Sequence, residues 1–120
     1  MPAIIRKSLD SPEEVRPFKD GKGQINLVNL DASPVSRAVL EPGWRWSLHV
    51  KPIVQTDSCE APHTGYLIAG QLTVAMADGE QVTFGPGDFM MIPPGHDAWV
   101  VGDEPCTFID WQGYADYAKP

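Results

Sequence analysis

The sequence predicts an all-β fold, a single domain closed as an antiparallel barrel or sandwich, and three observations predict it. Short apolar runs recur from Val35 onward, each bounded by glycine or proline. Two of them are joined by Asp78-Gly79, where the glycine supplies the positive φ that a tight hairpin turn demands. No helix longer than two turns is predicted beyond residue 20. Many short strands at regular spacing, punctuated by turn residues, favour a sandwich or a closed barrel.

Taken in order, the elements begin with a helix start at Ser11-Pro12-Glu13-Glu14. Ser11 is placed to cap, Pro12 suits the first helical position, and Glu14 completes a capping box. Pro17 and Gly21 keep any such helix short. Residues 1–35 are therefore expected to form an N-terminal arm packed on the barrel, with a strand or two around Ile25–Leu30. Residues 36–120 are expected to form the barrel itself. Ser36–Leu40 is a strand stopped by Glu41-Pro42-Gly43. In Trp44–Val50 the residues Trp44, Trp46, Leu48 and Val50 share one parity, and Arg45, Ser47 and His49 the other. Alternation of this period marks a half-buried strand with the tryptophans inward and His49 on the opposite face. Residues 51–62 hold two prolines and read as loop or irregular strand. Strands are predicted at 64–69, 71–76, 80–84, 89–92, 97–101 and 106–111. The tail from Gly113 to Pro120 carries two tyrosines able to dock on the barrel.

Composition narrows the function classes. Among 120 residues, 42% are apolar, which is ordinary for a globular domain able to bury a core. The formal net charge is −7 and no cluster of Lys and Arg stands out, so nucleic acid and anionic membranes are disfavoured partners. No apolar run approaches the roughly 20 residues that span a bilayer. The N-terminus lacks the apolar stretch of a secretory signal, so a cytoplasmic location is expected. A small-molecule ligand or a protein partner remains. Cys59 and Cys106 are the only cysteines and are expected as free thiols. No phosphate-cradling glycine loop is present.

Two segments carry a family likeness. Gly87 is followed after five residues by Pro93, then by Gly95 and His96, and further on by Gly102-Asp103-Glu104-Pro105. Upstream, Cys59 and His63 precede Tyr66-Leu67-Ile68-Ala69-Gly70, and sixteen residues separate Gly70 from Gly87. Together these resemble the two motifs of the cupin superfamily, whose small β-barrels commonly hold one metal ion. The second motif expects histidine where Ala98 stands. Counting back six residues from Gly102 reaches His96, which is therefore read as the motif histidine after a shortened turn. Counting back seven from Gly70 places His63 at the family's glutamate position, with Cys59 and Asp57 at its histidine positions. A rival register opening at Gly43 and reaching His49 places Lys51 and Gln55 at the next ligand positions, and no glycine closes it.

The resemblance implies a cupin (jelly-roll) barrel with Cys59, His63 and His96 as metal ligands and Asp57 as a fourth. One divalent transition ion is implied, zinc, iron, nickel or copper, since a thiolate with imidazoles suits a borderline-soft metal. It further implies a small organic molecule in the barrel, handled by an enzyme or by a non-catalytic ligand- or redox-sensing module, and a homodimer. In an extended chain Cys59 and His63 stand about 13 Å apart, four strand residues. Asp97 is placed to orient His96 as an outer carboxylate. Cys106 reads as core packing, and Tyr66, Trp99, Phe108 and Trp111 as barrel filling. Asp88, Gly85 and Gly87 read as turn residues.

Overall fold

A computed structural model describes residues 3–31 and 33–112. The tail beyond Gln112, with its two tyrosines, lies outside the described residues. The chain forms β1 (Glu14–Pro17), β2 (Gly23–Leu30), β3 (Ser33–Leu40), two one-turn helices α1 (Trp46–His49) and α2 (Lys51–Val54), then β4 (His63–Ala69), β5 (Leu72–Met76), β6 (Gln81–Phe84), β7 (Phe89–Ile92), β8 (His96–Val100) and β9 (Cys106–Asp110). Six strands make one sheet in the order β1-β2-β3-β9-β4-β7, and three make the other in the order β6-β5-β8. Every pairing is antiparallel. This is the all-β fold expected from the turn spacing, in the jelly-roll form that the cupin resemblance implied.

Alternation sets what faces the interior. His63, Gly65 and Leu67 of β4, His96, Ala98 and Val100 of β8, and Cys106, Phe108 and Asp110 of β9 are all buried, while the residues between them are partly exposed. Leu40, Leu67, Leu72, Met90 and Phe108 meet in the shared core. Fully burying such a side chain contributes about 1.5–3 kcal/mol. The turns hold the strands in register. Asp88 Oδ2 accepts the Gly85 N–H at 2.8 Å, and Gly79 takes φ 97° in the hairpin between β5 and β6. Gly65 lets β4 approach β9 closely, since a Cβ there would lie 2.2 Å from the Ile109 carbonyl oxygen.

Three local expectations change. The predicted helix at Ser11–Glu14 is absent, and the chain enters β1 instead. Ser11 closes a turn by donating its N–H to Ser8 O, and Glu13 donates to Leu27 O at 3.0 Å. The capping pattern is overridden because β2 offers those backbone groups a ladder, and Pro17 is tolerated on this edge strand. β1 and β2 thus continue the six-stranded sheet, contributing Ile25 and Leu27 to the core.

The second change is at Trp44–Val50, which is not a strand. Residues 46–49 coil into α1, and Trp46, His49 and Val50 are buried while Leu48 is 60% exposed. Trp46, His49 and Val50 stand at i, i+3 and i+4 and share one helical face, which overrides the alternation that would have buried Leu48 and exposed His49. His49 is therefore not a surface residue: its Nδ1 accepts the Arg45 N–H at 2.9 Å, satisfying the start of the turn. The third concerns the aromatics. Of the four assigned to the barrel interior, only Phe108 fills it. Tyr66 packs on exposed Phe89 and Trp99 lies under Arg45, because each has the outward parity of its strand, and Trp111 is exposed just beyond β9.

Candidate metal centre

The site is assembled where the loop before β4 meets the start of β8. Cys59 N–H donates to His96 O at 2.8 Å, and His96 N–H donates back to Cys59 O. This isolated bridge sets the two residues opposite one another, and residues so paired project to the same side. His63 opens β4 with inward parity. Residues 60–62 are not a regular strand but a loop that folds the chain back. Cys59 Sγ consequently lies 3.6 Å from His63 Nε2 rather than the strand separation expected from sequence. The rings of His63 and His96 meet edge-on with centroids 5.1 Å apart. One donor atom from each of Cys59, His63 and His96 lies within 4.8 Å of the others, and all three residues are buried.

Hydrogen bonds fix the imidazoles. His96 Nδ1 donates to Pro93 O at 2.8 Å, and a carbonyl can only accept, so Nε2 carries the lone pair. His63 Nδ1 donates to Asp110 Oδ2 at 2.9 Å, which turns Nε2 toward Cys59. Asp110 is 1% exposed. An outer carboxylate that fixes tautomer and ring angle is the usual companion of a ligating histidine. Burial raises the Asp110 carboxyl above its ordinary value, and the hydrogen bond from His63 opposes that rise.

Burial also pushes the Cys59 thiol up to about 12, with a backbone hydrogen bond at Ala61 opposing. Burial lowers His96, so its imidazole is neutral near pH 7. The donors are thus a thiol awaiting deprotonation and two imidazoles, a set that fits zinc, iron, nickel or copper. An ion replaces the thiol proton on binding.

The remaining sequence candidates lie elsewhere. Asp57 is exposed and outside the cluster, in a turn where Thr56 Oγ1 donates to Ser58 O. Asp97 does not orient His96. Having outward parity on β8, its carboxylate accepts the Ser47 N–H and the Arg45 Nε–H, tying α1 to the barrel. His49 takes no part in the cluster. Cys106 is buried at the other end of β9. Sequence reading missed Asp110. Its signal was present, since Cys106, Phe108 and Asp110 alternate and place an acid at an inward position.

His63 and His96 also border a cavity of about 20 Å³ inside the barrel, with an otherwise mostly apolar wall. Among the described residues, no helix is long and apolar enough to cross a membrane.

Comparison with known proteins agrees with this architecture. Residues 54–112 match the Cupin domain family, a stretch that contains all three clustered donors and Asp110. No curated protein sequence matches the chain. Among solved structures, it resembles an uncharacterised Klebsiella pneumoniae protein with a double-stranded β-helix domain. Identity is 24%, coverage 94% of each chain, and the TM-score 0.58. A protein of unknown function from Rhizobium leguminosarum is 18% identical over 92% of this chain and 96% of its own, with a TM-score of 0.64. The polyketide cyclase RemF from Streptomyces resistomycificus is 18% identical over 92% of this chain and 79% of its own, with a TM-score of 0.63. At these identities the likeness concerns the fold.

Proposed function

The chain belongs to the cupin superfamily, and we propose that it is a metal-binding cupin that acts on a small organic molecule in the barrel. One divalent ion is held by Cys59, His63 and His96. The observation that carries this reading is the convergence of three donors whose two imidazoles are already committed at Nδ1. Asp110 keeps the proton on His63 Nδ1, and Pro93 O keeps the proton on His96 Nδ1. The apolar wall excludes water, which strengthens electrostatic interactions within. When bound, the ion supplies Lewis-acid polarisation of a substrate oxygen. The likeness to a polyketide cyclase supports small-molecule chemistry on this fold.

A second reading, a non-catalytic sensing module, is favoured by one observation. The cavity of about 20 Å³ has room for roughly one water-sized group, which is small for turnover of a large substrate.

The test is metal content by plasma mass spectrometry on protein purified without added metal or chelator. Wild type is compared with His63→Ala and His96→Ala. Near-stoichiometric metal, lost in both variants, is the expected result. Negligible metal in wild type, persisting after reconstitution with zinc, iron, nickel and copper, overturns the metal reading.

A further inference from the structure

One side of the barrel is an open seam. β6 and β7 are edge strands of their sheets, and among the described residues β6 pairs only with β5 and β7 only with β4. A groove of about 120 Å³ runs between them, bordered by Val82 and Phe84 of β6 and by Met91 and Ile92 of β7. Val82 stands opposite buried Val74 and so has inward parity, yet it is 44% exposed. Met91 is 83% exposed. Neither strand contains a charged residue or a proline, the devices that keep an open edge from pairing with another chain. Val74 and Ile92 line both this groove and the barrel cavity, so the seam lies directly outside the interior.

A segment that suits the groove lies in the same chain. Residues 3–8 precede β1, belong to no helix or strand, and are all exposed. Among the described residues, 3–7 make no backbone hydrogen bond to the rest of the chain. Laid out as a strand, this arm places Ile4 and Arg6 on one side and Ile5 and Lys7 on the other. Lys7 Nζ is held by Glu13 Oε1 at 2.6 Å, and Ile5 is half covered. The Ile5 and Lys7 side therefore faces its own molecule, while Ile4 is fully exposed. The arm does not fill the groove of its own molecule, since Val82 and Met91 remain exposed there.

Charge points the same way. Residues 3–8 include Arg6 and Lys7 and no acid, in a chain of net charge −7. Glu80 stands exposed at the rim of the groove, and neither it nor Arg6 forms an ion pair among the described residues. With Ile4 in the groove, Arg6 lies about 7 Å further along on the same side, within side-chain reach of that rim.

We propose that the arm of a second copy of this chain docks in the groove, with Ile4 against Val82 and Met91 and with Arg6 against Glu80. Two such contacts related by a two-fold axis close a dimer. Each arm offers its free backbone to an open strand edge and covers the seam over Val74 and Ile92. No donor of the metal cluster takes part, so the proposal stands apart from the metal reading.

The test is sedimentation velocity on the full chain, from about 1 to about 100 µM. Ile4→Asp, Arg6→Glu and Glu80→Arg all alter exposed side chains, and thermal unfolding checks that each variant folds. The expected result is a concentration-dependent dimer that Ile4→Asp weakens at least about tenfold. Arg6→Glu and Glu80→Arg each weaken it, and the two together restore it to within about threefold of wild type, because the pair re-forms in reverse. A wild type that stays monomeric throughout overturns the proposal. So does a dimer indifferent to Ile4→Asp, which joins through another face. A double reversal that associates no better than either single one overturns it as well, since the arm then has no fixed place in the groove.

Discussion

The two cysteines make an informative pair. Cys59 and Cys106 are both fully buried, both carry a free thiol, and burial pushes both up to about 12. By exposure and acidity alone they are indistinguishable. Their neighbourhoods differ. Cys106 lies at the start of β9 opposite Leu40, in the apolar core. Cys59 lies in a loop 3.6 Å from His63 Nε2, bridged through its backbone to His96. A raised thiol therefore reports burial in both places, and only the arrangement of imidazoles separates a candidate ligand from a packing residue.

The largest expected effect breaks that comparison directly. Cys59→Ala removes one of three donors and is expected to weaken metal binding by at least about a thousandfold, a fraction of the roughly 10 kcal/mol or more typical of a structural zinc site. Cys106→Ala is expected to leave metal affinity within a factor of about three while lowering the melting temperature, because it opens a small core cavity. Competition with a chromophoric chelator measures the first and thermal unfolding the second. Equal affinities in the two variants would remove Cys59 from the site.

A smaller effect comes from the far end of the same strand. Asp110→Ala leaves the His63 Nδ1–H without its acceptor and is expected to weaken metal binding about 10- to 100-fold. Asp110→Asn, which keeps an acceptor oxygen, is expected to lose less. If the asparagine variant matched alanine, charge rather than orientation would be the contribution of Asp110.

The smallest effect sharpens the likeness of the two thiols. In the unfolded chain both ionise near 9.0, and in the folded protein near 12. Between those values the unfolded chain gives up protons that the fold retains, so stability falls as pH rises through that window. Each thiol contributes about 1.4 kcal/mol per pH unit at full development. Chemical denaturation of metal-free protein at pH 8 to 10 is expected to show this loss, with Cys106→Ala giving about half the slope. A flat profile would mean that the thiols ionise as readily folded as unfolded.

Legibility from sequence divides along similar lines. The positions of β4 to β9 could be read because glycine, proline and Asp78-Gly79 act locally, through φ and missing donors. Trp44–Val50 could not, since its alternation matches a strand while the residues actually buried around the turn, Trp46, His49 and Val50, match a helical face. Only the Arg45 N–H bond to His49 and the contact with β8 decide between them. The same limit applies at the site. Cys59, His63 and His96 were visible as candidates through motif spacing, whereas Asp110 came into view only when β9 was laid beside β4. Asp97, adjacent to His96 in sequence, points away from it because neighbours in a strand face opposite sides.

By itself the sequence determined an all-β sandwich or closed barrel, its turns, and the kinds of donor atom available, while the jelly roll came from the likeness of its motifs to the cupins. Those follow from backbone preferences and from alternation, which act over a few residues. The tertiary structure decided which donors meet and which carboxylate holds His63. Each of these joins residues from different strands or loops. Their proximity is fixed by sheet pairing and by close approaches such as Gly65 against Ile109, which no local pattern encodes.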